Sequence, residues 1–341
     1  MEKRITLKDI AQYTGYSLRT VKKVLSGTEY VSEQTSKEII DASIKLNYKR
    51  NSFASALAKN RTYTVALVYA NISSSYFPEI ERGFGRCAEE YRDYGIRTEY
   101  FRRATGDIGW QISLLNELAA RADISAVVVQ PMSAVSLVEP INRLADAGKP
   151  VITFGSDAPG SKRSCYIGPR AHKSGRIAAQ LMANCIGGKG NVCIINRSAE
   201  HMQTKERTAG FLQCVNERYP GITVREVSIP VDPEYYYGTV RSLAVSEPVD
   251  GFFSTDAEVH QAGRALADLG RKDIALIGYD LSEETCRLMK DGYIDAILYQ
   301  NPELQGYRSL KTACEMLLNK TIPTTDHEVI DVQIITSECL D

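Results

Sequence analysis

Apolar positions change their period at about residue 63, and that change divides the chain. In the first sixty residues they recur at helical spacing. Leu7, Ile10 and Ala11 share one face, and Thr6 with Asp9 three residues later forms a capping-box-like start. Gly15 ends this helix. Ser17 caps a second helix with Val21, Val24 and Leu25 on its inner face, stopped by Ser26-Gly27. Ser32 opens a third, which runs through Ile39, Ile40, Ile44 and Leu46. A fourth, short segment over 52–58 is helix-compatible.

Beyond Thr64 short apolar runs alternate with amphipathic stretches. Strands are expected at 65–70, 98–101, 126–129 and 151–154, separated by helices over 79–94, 111–121 and 134–147. The alternation restarts after residue 187. Strands at 192–195, 223–229, 251–253, 274–278 and 296–299 are interleaved with helices over 202–218, 257–269, 282–291 and 303–318. Continuous apolar strands between helices indicate parallel βαβ units. Two such lobes imply a cleft, with ligands beyond the carboxyl ends of the strands.

Charge sharpens the division. The chain has 341 residues and a formal net charge of −1. Residues 1–61 hold twelve Lys/Arg against six Asp/Glu, a net of +6, and the remainder carries −7. A basic head on an acidic body suits a polyanionic partner. The eight cysteines show no CxxC spacing and sit among apolar neighbours, which reads as small buried residues in a reducing compartment. The four histidines are scattered, so no metal site is expected. With no long apolar run and no signal-like start, the expectation is a cytoplasmic protein without a membrane partner.

The head carries chemistry in its spacing. Two short helices joined by a tight turn present residues 18, 19 and 23 to a major groove, while Val21 and Val24 anchor the core. Arg19 suits a guanine edge. Lys22, Lys23 and the helix N-terminal NH groups suit phosphates. The alternative is a small helical domain with solvated basic residues.

The run Thr6-x-x-Asp9-Ile10-Ala11-x-x-Thr14-Gly15-Tyr16-Ser17-x-x-Thr20-Val21-Lys22-x-Val24-Leu25 resembles the DNA-binding head of the LacI/GalR family, as does the run from Val31-Ser32 to Leu46-Asn47-Tyr48. The resemblance implies base reading by Leu18, Arg19 and Lys23, and phosphate contacts by Thr6, Ser17, Thr20, Lys22, Ser32 and Asn51. Asn51-x-x-Ala54-x-x-Leu57-Ala58 is similar to the family's hinge, in which the leucine wedges into the minor groove. Lys22 and Lys23 depart from the usual Ser and Arg, which points to a different operator sequence. Arg50 replaces the usual Pro.

The body resembles the two-lobed sugar-binding sensor of the same family. The implied fold is a small all-α helix-turn-helix head (1–50), a hinge (51–62) and an α/β two-lobed periplasmic-binding-protein-like domain (63–341) for ligand sensing and dimerisation. Tyr76 and Phe77 stand where relatives stack aromatics on a sugar ring. Arg207, in Arg-Thr-Ala-Gly-Phe211, matches the family arginine; Asp256, Asp280 and Gln300 follow strand ends as ligand groups do. Relatives usually place Asp at the position of Gly155; here either Ser156 or a backbone group substitutes, or the ligand differs from a simple pentose or hexose.

No Ser/His/Asp context, P-loop or HExxH occurs, so neither catalytic residues nor a cofactor are called for. The expected function is a transcription regulator, a repressor binding pseudo-palindromic operator DNA as a homodimer under control of a small, carbohydrate-like effector. A sugar-binding protein without a regulatory role and an enzyme on an α/β scaffold are the alternatives.

Overall fold

The computed structural model describes residues 5–26, 31–46, 62–70, 75–104, 107–197, 201–230 and 232–340. The hinge residues Asn51, Ala54 and Leu57 lie outside them. The chain forms two compact units, Met1–Lys59 and Asn60–Asp341.

In the first unit, helices α1 (Leu7–Thr14), α2 (Leu18–Ser26) and α3 (Glu33–Lys45) enclose a core centred on Ile10, Val21 and Ile39. The predicted caps are in place. Thr6 and Asp9 close a reciprocal capping box, with Thr6 N donating to Asp9 Oδ2 at 2.7 Å. Gly15 ends α1 at φ +74°, a left-handed turn that glycine adopts without strain. Ser17 Oγ accepts from Thr20 N, and Ser32 Oγ from Thr35 N. The turn between α1 and α2 is therefore held by local bonds as well as by the core.

The second unit holds two six-stranded sheets. Lobe 1 contains β1 (Tyr63–Ala70), β2 (Ile96–Arg103), β3 (Ile124–Val129), β4 (Val151–Phe154), β5 (Cys165–Gly168) and β11 (His327–Val329). Their order is β11-β5-β4-β3-β1-β2 and every pairing is parallel. Lobe 2 contains β6 (Lys189–Arg197), β7 (Gly221–Ile229), β8 (Gly251–Ser254), β9 (Ala275–Tyr279), β10 (Ala296–Tyr299) and β12 (Gln333–Ile335). It is ordered β12-β10-β9-β8-β6-β7, with only β12 antiparallel. Central strands such as β3 and β9 are buried almost throughout, which explains their unbroken apolar runs.

Helices α4 (Tyr76–Tyr91), α5 (Ile108–Ala120), α6 (Val138–Asp146) and α12 (Pro302–Asn319) belong to lobe 1; α7 (Ala171–Cys185), α8 (Met202–Arg218), α9 (Pro233–Ser246), α10 (Val259–Leu269) and α11 (Glu283–Lys290) belong to lobe 2. The chain thus crosses between lobes three times, after β5, β10 and β11. Sequence order alone implies two consecutive lobes. Instead α12 returns to lobe 1, where Leu310, Ala313 and Cys314 join the core beneath α4.

Helix α4 begins three residues earlier than its periodicity suggests, so Tyr76 and Phe77 occupy its first turn. Five cysteines are buried as expected, whereas Cys185 and Cys339 are exposed. Among the described residues no helix is long and apolar enough to cross a membrane.

Candidate functional site

In the head, core packing of Val21 turns the opposite face of α2 outward. Ser17, Leu18, Arg19 and Lys22 are exposed there, Leu18 despite its apolar side chain. Thr20 and Lys23 are half-buried. An exposed apolar side chain at a helix N-terminus, flanked by Arg and Lys, provides a contact for a base edge or thymine methyl beside phosphate-pairing charges. Ser17 and Ser32 serve as caps at the N-termini of α2 and α3, where anions bind, whereas Thr6 caps α1 with both its NH and its hydroxyl donating to Asp9.

In the two-lobed unit a cavity of about 100 Å³ lies beyond the carboxyl ends of the strands, between the lobes. Lobe 1 contributes Tyr76, Phe77, Gln130 and Gly155. Lobe 2 faces them with Arg207, Asp256, Asp280 and Gln300 among others. Six of the seven residues expected from the sequence line it. Ser156 does not: it is buried beside the cavity, its NH donating to Phe154 O. Phe77 is mostly a packing residue, stacked on Tyr69 with ring centroids 5.3 Å apart.

Arg207 is the centre of the lobe 2 wall. It lies over the Tyr279 ring at 3.7 Å, donates to Thr255 O at 2.6 Å and to Gln300 Oε1 at 2.5 Å. Its Nε has no hydrogen-bond partner although buried, and the same holds for Gln203 Oε1. An unsatisfied donor and an unsatisfied acceptor in one cavity are costly unless a ligand or water completes them.

Asp280 is 1% exposed and sits at φ +60°, immediately after β9. It accepts from Gln300 N and Nε2, the latter at 2.6 Å. Burial pushes its carboxyl up to about 7, against the opposing pull of Arg207 and of the two Gln300 bonds. Asp256 accepts from Glu258 N at 3.0 Å and so also shapes the approach to α10.

His201, Gln203, Gln130 and Thr255 also line the cavity, and none is expected from the sequence. Burial and the nearby Arg207 hold the His201 imidazole down at about 4, so it is neutral near pH 7. Gln203 Nε2 bonds Gly155 O across the cleft, and Ser75 Oγ donates to Ala257 O at 3.2 Å. Tyr299, at the second crossing, donates to Glu79 of α4 at 2.6 Å.

A helix-turn-helix with an exposed basic face and a polar receptor cleft define a DNA-binding protein that carries its own small-molecule sensor. Comparison with known proteins agrees. Residues 6–51 match the model for bacterial regulatory proteins of the lacI family, and residues 65–321 match the periplasmic binding protein domain. The chain belongs to the periplasmic binding protein domain family and carries a lacI-family DNA-binding head: it is a transcription regulator whose effector domain has the periplasmic-binding-protein fold. It is 25% identical over 339 residues to the HTH-type transcriptional repressor PurR of Aliivibrio fischeri strain MJ11, covering 95% of this chain and 93% of that protein. It is 37% identical over 91 residues to the HTH-type transcriptional regulator RegA of Clostridium saccharobutylicum, 27% of each chain. Among solved structures it is similar to GanP, a glucose-galactose binding protein from Geobacillus stearothermophilus, with a TM-score of 0.72 and 26% identity over 82% of this chain and 98% of that one.

Proposed function

We propose that this regulator is a cytoplasmic, homodimeric repressor whose effector is a neutral carbohydrate held between the lobes. The observation that carries the ligand reading is the lobe 2 wall. Arg207 Nε and Gln203 Oε1 await partners, while Asp280 offers acceptor lone pairs close by. A sugar with vicinal hydroxyls both donates and accepts, and Tyr76 suits the apolar face of its ring. GanP, named for glucose and galactose binding, supports the same class.

On DNA, two heads of a dimer reading half-sites about one helical turn apart would recognise a pseudo-palindrome. Leu18, Arg19 and Lys23 read bases, and Lys22 with the capped N-termini of α1, α2 and α3 holds phosphates, with Asn51, Ala54 and Leu57 in the intervening segment.

The test has two parts. Thermal unfolding with D-glucose, D-galactose, D-ribose and D-xylose should show a midpoint rising with concentration for at least one sugar. Fluorescence anisotropy on operator and random duplexes should show that Arg19→Ala narrows the ratio between them, whereas Lys22→Ala weakens both alike and lowers the salt slope by about 1. Equal losses on both duplexes for Arg19→Ala would remove it from base reading.

A further inference from the structure

Position 155 has no room for a side chain. Gly155 ends β4 at φ +64°, and a Cβ there would stand 2.6 Å from the Tyr76 hydroxyl and 3.3 Å from Gln130 Nε2. The space through which a residue at 155 would reach the cavity is filled by the phenol of Tyr76.

The direction of that hydroxyl is set by a residue that does not line the cavity. Gln305 is fully buried in the first turns of α12. Its Nε2 donates to Gln300 O at 2.8 Å, which turns its Oε1 toward Tyr76. Tyr76 donates its hydrogen to that oxygen at 2.9 Å. With the hydrogen committed, the phenol oxygen meets any further group as an acceptor. The chain of bonds continues through Gln300, whose side chain joins Asp280 and Arg207. One network therefore runs from the lobe 1 wall through the second crossing to the lobe 2 wall.

Charge is distributed unevenly across the cleft. Among the described lining residues Arg207, Asp256 and Asp280 all stand on lobe 2, and lobe 1 offers only Tyr76, Phe77, Gln130 and the Gly155 backbone.

We propose that Tyr76, oriented by Gln305 and fitted against the bare face of Gly155, determines effector selectivity by giving lobe 1 a neutral acceptor where a side chain at 155 would otherwise project. Resting on the carbohydrate reading above, the site selects a ligand that donates a hydroxyl at its lobe 1 end. Gln305 is a positioning residue: it acts on the ligand only through Tyr76.

The full-length chain tests this in two independent arms. Without ligand, a thermal-unfolding cycle compares Gly155→Ala in the native and Tyr76→Phe backgrounds. The native background should lose several degrees, and the Tyr76→Phe background clearly less, because the opposing oxygen is gone. Equal losses would overturn the fit between the two residues. With ligand, calorimetry uses D-glucose, D-galactose, D-ribose and D-xylose. For whichever binds, Tyr76→Phe and Gln305→Met should each weaken binding by roughly fivefold to tenfold, and the double variant no more than either alone. Multiplying losses, or unchanged affinity in Tyr76→Phe, would overturn the selectivity role. If none of the four binds, the carbohydrate reading fails, and the ligand-free cycle alone then upholds or overturns the pairing of Tyr76 with Gly155.

Discussion

Asp280 combines two conditions that a structural residue avoids, a buried carboxyl and a left-handed backbone. Its ionisation near 7 has a definite consequence for stability. Below about pH 4 the carboxyl is protonated in the folded and unfolded chain alike. Between about 4 and 7 the folded protein keeps a proton that the unfolded chain has released, so the contribution of this group to stability falls as pH rises and stays low above 7. Asp280→Asn should therefore remove the native fall in unfolding temperature between pH 5 and pH 8. Asn tolerates φ +60° comparably well but turns one acceptor of the two Gln300 bonds into a donor, so the readout is the change with pH and not the absolute temperature. A sugar hydroxyl donating to Asp280 favours the ionised form. Effector affinity should increase from pH 6 to 8 in the native protein, with proton release seen as a buffer-dependent binding enthalpy, and should be weak and flat in Asp280→Asn. A flat native profile would place the bound ligand away from this carboxyl. Asp280, Arg207 and Gln300 were legible in the sequence because each follows an apolar strand or sits in a distinctive run. His201 and Gln203 were not, since a polar residue at the start of a helix carries no periodic signal; Gln130 directly follows the apolar run of β3, a strand-end position that could have found it.

Helices in both lobes pack closely in pairs, and glycine sets the distance. A Cβ on Gly83 of α4 would lie 2.0 Å from Glu303 O of α12, and one on Gly175 of α7 would lie 2.0 Å from Arg207 O of α8. These are backbone atoms that cannot rotate away. Gly85, one turn-face removed on α4, has open space. Gly83→Ala should therefore cost about 1–3 kcal/mol or more, and Gly85→Ala should stabilise by about 0.5–1 kcal/mol, read from chemical denaturation of the two-lobed unit. The same geometry explains what periodicity missed. The inner face of α7 is Ser174, Gly175, Ala178, Ala179, Met182 and Ala183, too small to stand out as an apolar stripe. The three-residue β11 and β12 fall below the length at which alternation is recognisable, and the four-residue β5 lacks the unbroken burial of the equally short β4, its Tyr166 being half-buried. The long buried strands and the larger amphipathic helices were legible for the opposite reason, as their apolar runs must fill a sheet covered on both faces.

At the scale of the whole molecule, a head with net charge +6 suits a polyanion, and a body with −7 carries the polar cavity. Coupling between them is a free energy shared by both sites, whatever route it takes through the chain. If binding of an aldose changes operator affinity by a given factor, operator binding must change aldose affinity by the same factor. That equality is the prediction, with a magnitude of roughly 5–150-fold typical of such couplings. It is checked by titrating operator at saturating and zero sugar, then sugar at saturating and zero operator, at one salt concentration, because the phosphate contribution depends steeply on salt. Gln305→Met supplies the discriminating comparison. A variant that weakens sugar binding alone leaves operator affinity without sugar at its native value. If Gln305→Met alters operator affinity with no sugar present, the network through Gln300 also biases the conformational balance of the unliganded protein, and the factor measured from either side must shift together.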